Sequence, residues 1–258
     1  GSNDKTIKLW HVGDGREVMT LRGHEGAVHS LSFSSDGHLL ASGSHDNTIK
    51  LWDVSDGSEI TTVPGHFDAV LSISFNPNGT LLASGSEDGT IKLWHVGEGR
   101  KIRTLSAHAN AIRSLAFSPD GTLLASGGDD HKIRIWNVAE GRQIRTLKGH
   151  SHTLLSLAFS PDGTLLASGS YDYTIKLWSV ADGSEVTTLQ GHSDAVSSID
   201  FSPDGTLLAS GSYDHTIKLW NFDLDDLLVR GCEKLHSYLK NNPNVSDEDR
   251  LLCDDIMD

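Results

Sequence analysis

Five times in this chain a histidine is followed 18 residues later by a serine and 22 residues later by an aspartate. The sets are His24/Ser42/Asp46, His66/Ser84/Asp88, His108/Ser126/Asp130, His150/Ser168/Asp172 and His192/Ser210/Asp214. Those residue types could supply a nucleophile, a general base and an orienting carboxylate, which is the chemistry of a serine hydrolase. A catalytic constellation is normally built once, however, and this one is stamped into the chain together with a tryptophan. Trp52, Trp94, Trp136, Trp178 and Trp220 each follow their histidine by 28 residues. A buried indole N–H needs an acceptor, and buried polar groups cost little when each has a partner. The repeated sets therefore read as structural braces, and no residue is assigned a catalytic role.

The elements that must hold such braces follow from the period. The six tryptophans, beginning at Trp10, stand 42 residues apart, and His24 to His192 keep the same step. Within one period, residues 15–21 form a short strand, and Val28 to Phe33 carry Leu31 and Phe33 two apart, as one strand face requires. Ser35-Asp36-Gly37 signals a turn, Leu39-Leu40-Ala41-Ser42 begins a third strand, and His45-Asp46-Asn47 turns into a fourth, Thr48 to Trp52. A sandwich or barrel would also show short strands, but it would not copy itself. A period of about 40–45 residues with Gly-His and a terminal tryptophan marks a four-stranded propeller blade.

At these residues the chain resembles the WD40-repeat family, over about residues 3–222. Two departures are visible: Ala107 stands for glycine before His108, and the Trp-Asp pair survives only at Trp52-Asp53. The resemblance implies an all-β WD40 β-propeller of four-stranded blades, with about six blades represented and the first incomplete. It also implies the order of each brace, with Asp accepting from His, His bonding Ser, and Ser bonding the Trp indole. The near-identity of the copies resembles arrays in bacterial, especially cyanobacterial, multidomain signalling proteins.

Copies that repeat so closely make their differences informative. The turns at 34–37, 76–79, 118–121, 160–163 and 202–205 barely change, and Leu-Leu-Ala-Ser recurs in all five full copies. Variation gathers at three offsets. One holds His29, Leu71, Arg113, Leu155 and Ser197; a second holds His45, Glu87, Asp129, Tyr171 and Tyr213; the third follows Gly-His and includes Phe67 and His152. In a propeller all three lie at one end, which is the family's usual partner-binding top face. Loops on a stiff scaffold vary without disturbing the core, and Tyr, Phe and Arg are typical interface anchors.

Bulk properties narrow the class of partner. A net charge of −14 argues against binding a nucleic-acid backbone or an anionic membrane surface, and no apolar run approaches the length of a spanning helix. The expected partner is a protein or peptide, no cofactor or metal is expected, and the two cysteines point to a reducing cytoplasm. Two rival readings are a propeller enzyme or small-ligand binder with a site at the central channel, using His45, Glu87, Asp129 and His131, and a recently amplified array without an evolved ligand.

The ends depart from the pattern. Gly1 to Asp4 align with Gly43 to Asp46, so the array is expected to begin mid-blade, as a piece of a longer array, and to self-associate through incomplete blade edges. A propeller over 1–222 is expected to precede a helical, acidic tail over 223–258. There Leu224, Leu227, Leu228, Cys232, Leu235 and Leu239 recur at helical spacing, and Ser246 is placed to cap a second helix. Cys232 and Cys253 are expected to pack there as small apolar residues, not as redox partners.

Overall fold

The computed structural model describes residues 1–223 and Cys232. Strand alternation sets the faces of each blade. In β4 (Leu39–Ser44), Leu40 and Ser42 point one way while Ala41 and Gly43 point the other; β5 (Thr48–Asp53) pairs antiparallel with it, Leu40 opposite Trp52 and Ala41 opposite Leu51. With β3 (Val28–Phe33) and β6 (Glu59–Pro64) they form the antiparallel sheet β3-β4-β5-β6. β1 (Ile7–Trp10) and β2 (Glu17–Leu21) form a two-stranded sheet before it.

Three further four-stranded sheets follow. β7 (Val70–Phe75), β8 (Leu81–Ser86), β9 (Thr90–His95) and β10 (Arg100–Ser106) make one. β11 (Ile112–Phe117), β12 (Leu123–Gly128), β13 (Lys132–Asn137) and β14 (Arg142–Lys148) make the next. The last comprises β15 (Leu154–Phe159), β16 (Leu165–Ser170), β17 (Ile175–Ser179) and β18 (Glu185–Leu189). A three-stranded sheet of β19 (Val196–Phe201), β20 (Leu207–Ser212) and β21 (Ile217–Asn221) ends the described array. The first strand of each four-stranded sheet stands against the first strand of the next, so the sheets are the blades of a β-propeller.

The core lies between blades. Ala41, Ile49 and Leu51 on one blade meet Val70, Ile73, Phe75, Leu82 and Trp94 on the next, and the same residue types repeat at the following junctions. Glycine in β8 allows the approach: a Cβ on Gly85 would lie 2.7 Å from the Ile112 Cγ2 methyl. Serines tie the first strands together as well. Ser30, Ser72, Ser114 and Ser156 accept the backbone N–H of Ile73, Leu115, Leu157 and Ile199 at 2.9–3.1 Å, satisfying amides that face no strand partner. Sequence reading did not single out these serines.

The final sheet breaks the pattern. Ile175 and Leu177 are 1% and 2% exposed under the blade that follows, whereas their counterparts Ile217 and Leu219 are 78% and 66% exposed. A Cβ on Gly211, the counterpart of Gly85, would meet nothing within 4 Å. Among the described residues this face carries no covering blade.

The expected tail helices lie outside the described residues except for Cys232, which is helical, buried and disulfide-bonded. That corrects the expectation of an unbonded thiol. A disulfide forms wherever the fold brings a second sulfur within bonding distance, and a count of cysteines is blind to that.

Close approach at Gly85 and open space at Gly211 give paired outcomes. Gly85→Ala should lower stability by about 1–3 kcal/mol, because the β-branched Ile112 cannot swing away. Gly211→Ala should stay within about 0.5 kcal/mol of wild type. Urea unfolding midpoints check both; equal losses would mean the two faces are packed alike.

Candidate functional site

Each blade brace is a chain of four side chains assembled from two strands, a loop and a turn. His24 Nδ1 lies 2.8 Å from Asp46 and Nε2 2.7 Å from Ser42 Oγ, which accepts the Trp52 indole N–H at 2.8 Å. His66 makes the same contacts with Asp88 and Ser84 at 3.0 and 2.7 Å, and Trp94 donates to Ser84 at 2.9 Å. The other three sets (His108, Asp130, Ser126, Trp136; His150, Asp172, Ser168, Trp178; His192, Asp214, Ser210, Trp220) repeat these contacts at 2.7–2.9 Å. Since Ser Oγ takes the indole proton, its own O–H donates to Nε2 and the histidine is the neutral Nδ1–H tautomer.

Electrostatics agree with that state. Burial pushes His24, His66 and His108 below the ordinary histidine value, outweighing the nearby aspartates. Burial would raise Asp46 and Asp88, but hydrogen bonds from Thr48 and His24, and from Thr90, hold both below the usual carboxylate range. The serine hydroxyls are wholly buried, so no substrate carbonyl can reach them.

The third four-stranded blade solves the same problem differently. Lys132 replaces the threonine that elsewhere bonds the aspartate, and Arg134 reaches Asp130 at 2.6 Å instead. Elsewhere the second aspartate oxygen also takes the N–H of Glu25, Phe67, Ser151 or Ser193, at 2.8–3.1 Å. The brace thus anchors the loop that carries the variable residues.

The variable residues lie on the β3–β4 type pairing end and the loops beside it. Leu71, Arg113, Leu155 and Ser197 are half-buried and His29 is exposed. His29 meets His45 edge-on at 5.8 Å. Arg113 grips Asp129 with two hydrogen bonds of 2.9 and 3.0 Å, an arrangement that raises its pKa further. Glu87 acts on both Arg113 and His29 through its charge.

Tyr171 and Tyr213 come together, their rings 5.9 Å apart and nearly perpendicular. His152 lies 5.5 Å from Tyr171, and His131 stacks on His152 at 5.5 Å with planes 17° apart. Four rings from three successive blades therefore form one ladder. Sequence reading put His152 at a variable top-face offset and gave His131 only to the rival channel site, so it did not join the two. His131 holds φ 61 at the place Gly89 occupies in the preceding blade. Phe67 stands apart: no ring contact joins it to the ladder among the described residues, and Lys92 Nζ lies 5.4 Å from its centroid.

Residues 15–53 and 57–95 match the model "WD domain, G-beta repeat". WD40 repeats are found in this part of the chain. Residues 114–229 match a model described as the first β-propeller of IFT122. The Periodic tryptophan protein 2 homolog of Schizosaccharomyces pombe is 57% identical over 44 residues, 17% of this chain and 5% of that protein. The chain thus spans only a small fraction of that relative's length.

A pH dependence follows from the braces. The depressed histidines favour the neutral form in the fold, so their contribution is full above the ordinary value of 6.5 and is lost as pH falls toward the folded-state values. Asp46 and Asp88 contribute fully above 3.8 and lose that contribution as pH falls further. The urea midpoint should therefore drop from about pH 7.5 to 5.5 and again below about pH 4; a flat profile to pH 5.5 would contradict neutral buried histidines.

Proposed function

We propose that this propeller is a non-catalytic platform that binds a protein or peptide partner through its top face, as an interaction or sensing module of a bacterial-type signalling protein. The observation that carries the reading is the ladder His131–His152–Tyr171–Tyr213, which exposes aromatic surface at a rim held by buried braces. Rigid aromatic rings supply contact area at low entropic cost, and such residues dominate interface energetics. WD40 propellers generally serve protein–protein interaction, which fits. Three of the four residues of the enzyme alternative have neighbours of their own: Asp129 pairs with Arg113, His131 stacks on His152 and His45 meets His29. A rim without an acidic or basic track, on a chain of net charge −14, gives no support to a nucleic-acid or membrane surface.

The test uses the tyrosines and leaves Arg113 in place, because removing it would strand Asp129. Tyr171→Ala combined with Tyr213→Ala should abolish partner capture from a cell extract while leaving the urea midpoint within about 0.5 kcal/mol of wild type. Undiminished capture, or a collapse of stability, would count against this surface. An extract that yields no partner even for wild type would favour an array without an evolved ligand.

The face of the last sheet, uncovered among the described residues, supports self-association with a second copy. Ile217 and Leu219 would each gain roughly 1.5–3 kcal/mol on full burial. Light scattering on the eluting protein should show mass rising with concentration, and Leu219→Glu should return the monomer. A monomer at every concentration would remove this reading.

A further inference from the structure

One strand pairing differs in sign from its copies. The residue opposite the blade tryptophan is Glu17, Glu59 and Glu185 beside Trp10, Trp52 and Trp178. Each of those carboxylates takes the ammonium of the lysine two residues before the tryptophan: Lys8 at 2.6 Å, Lys50 at 2.8 Å and Lys176 at 2.9 Å. Opposite Trp94 stands Lys101. The lysine is retained as Lys92, so a cation faces a cation where three copies hold an ion pair.

Lys92 has not been released to solvent by the change. It is 8% exposed and donates to the Gly65 carbonyl. Burial and the charge of Lys101 both lower its pKa, opposed by Asp88, which is itself engaged by His66 and Thr90. The blade of Gln143 shows how the loss of glutamate can be resolved internally: there the strand carries Arg134, which turns to Asp130. Among the described residues Lys92 forms no such ion pair. Beside it stands Phe67, 92% exposed, with the Lys92 ammonium near its ring.

We propose that Lys92, Lys101 and the exposed ring of Phe67 form a docking point for an acidic partner segment, whose Asp or Glu side chain takes the place that Glu17, Glu59 and Glu185 fill in the other blades. The charge complementarity is local: two cations and an exposed ring, on a chain whose net charge is −14. The point is separate from the aromatic ladder, so it adds a second contact rather than restating the first.

Lys101→Glu tests the proposal because it restores the arrangement of the other blades and closes the docking point from within. Twelve-residue peptides displayed on phage are selected against the whole chain. The enriched peptides are then synthesised and titrated against wild type, Lys101→Glu, Phe67→Ala and the double tyrosine variant. The expected result is enrichment of Asp or Glu, with binding at least about tenfold weaker to Lys101→Glu and several-fold weaker to Phe67→Ala. Binding to the tyrosine variant should be unchanged, and Lys101→Glu should be at least as resistant to urea as wild type. Peptides without acidic residues, or equal affinity for Lys101→Glu, would overturn the proposal. Acidic peptides that the tyrosine variant loses would also overturn it, by assigning them to the ladder, and displacement by inorganic phosphate at equal strength would reduce the point to a simple anion site.

Discussion

A single serine hydroxyl, buried between an imidazole and an indole, is the contact on which each blade depends. It accepts from the tryptophan of one strand and donates to the histidine of a loop, and the histidine donates its single N–H to the aspartate of a turn. Four polar groups are removed from water together, and each has a partner. Removing any one leaves a buried donor or acceptor unsatisfied, at roughly 1–3 kcal/mol. A chain of this kind is intolerant of small displacements, so it sets the distance between loop, turn and strands in every copy.

That rigidity has a functional consequence. The aspartate which ends the brace also takes a backbone N–H of the loop after Gly-His in four copies. Side chains on that loop are thereby free to change while its backbone is not. His152 presents its ring from such a loop to Tyr171, and the two neighbouring rings come from turns that the same aspartates begin. Ordering cost on binding is reduced because the loops are already held. The blade of Arg134 shows that the brace tolerates a new cation if it satisfies the same carboxylate.

Copies within one chain also act as internal controls. Ile175 and Ile217 share a residue type and a strand position, yet one is buried and the other open, so exposure there reports the neighbour and not the residue. Lys50 and Lys92 likewise occupy one position, and the difference between them lies in Glu59 against Lys101 across the strand pair. A departure from the repeat that leaves a cation without its carboxylate is a chemical signal, whereas a departure such as Asn137 after Trp136 changes nothing buried.

The sequence by itself determined the blades, because their cause is local: period-two alternation, turn residues at fixed offsets and a 42-residue step that recurs from Trp10 to Trp220. It also pointed to the members of each brace, since their spacing is as regular as the strands that carry them. Tertiary structure alone decided what meets across blades. His131, His152, Tyr171 and Tyr213 lie far apart along the chain, and only the angle between successive sheets brings their rings into contact. The serines that tie neighbouring first strands and, among the described residues, the bare face of β21 were settled by how the sheets meet, whereas the grip of Arg113 on Asp129 within one blade and the bond at Cys232 were settled by side-chain reach. Several of these pairs keep the repeat spacing, 43 residues for the serine contacts and one full period for Tyr171 and Tyr213, but spacing along the chain gives a position and not the facing angle or side-chain reach that turns it into a contact.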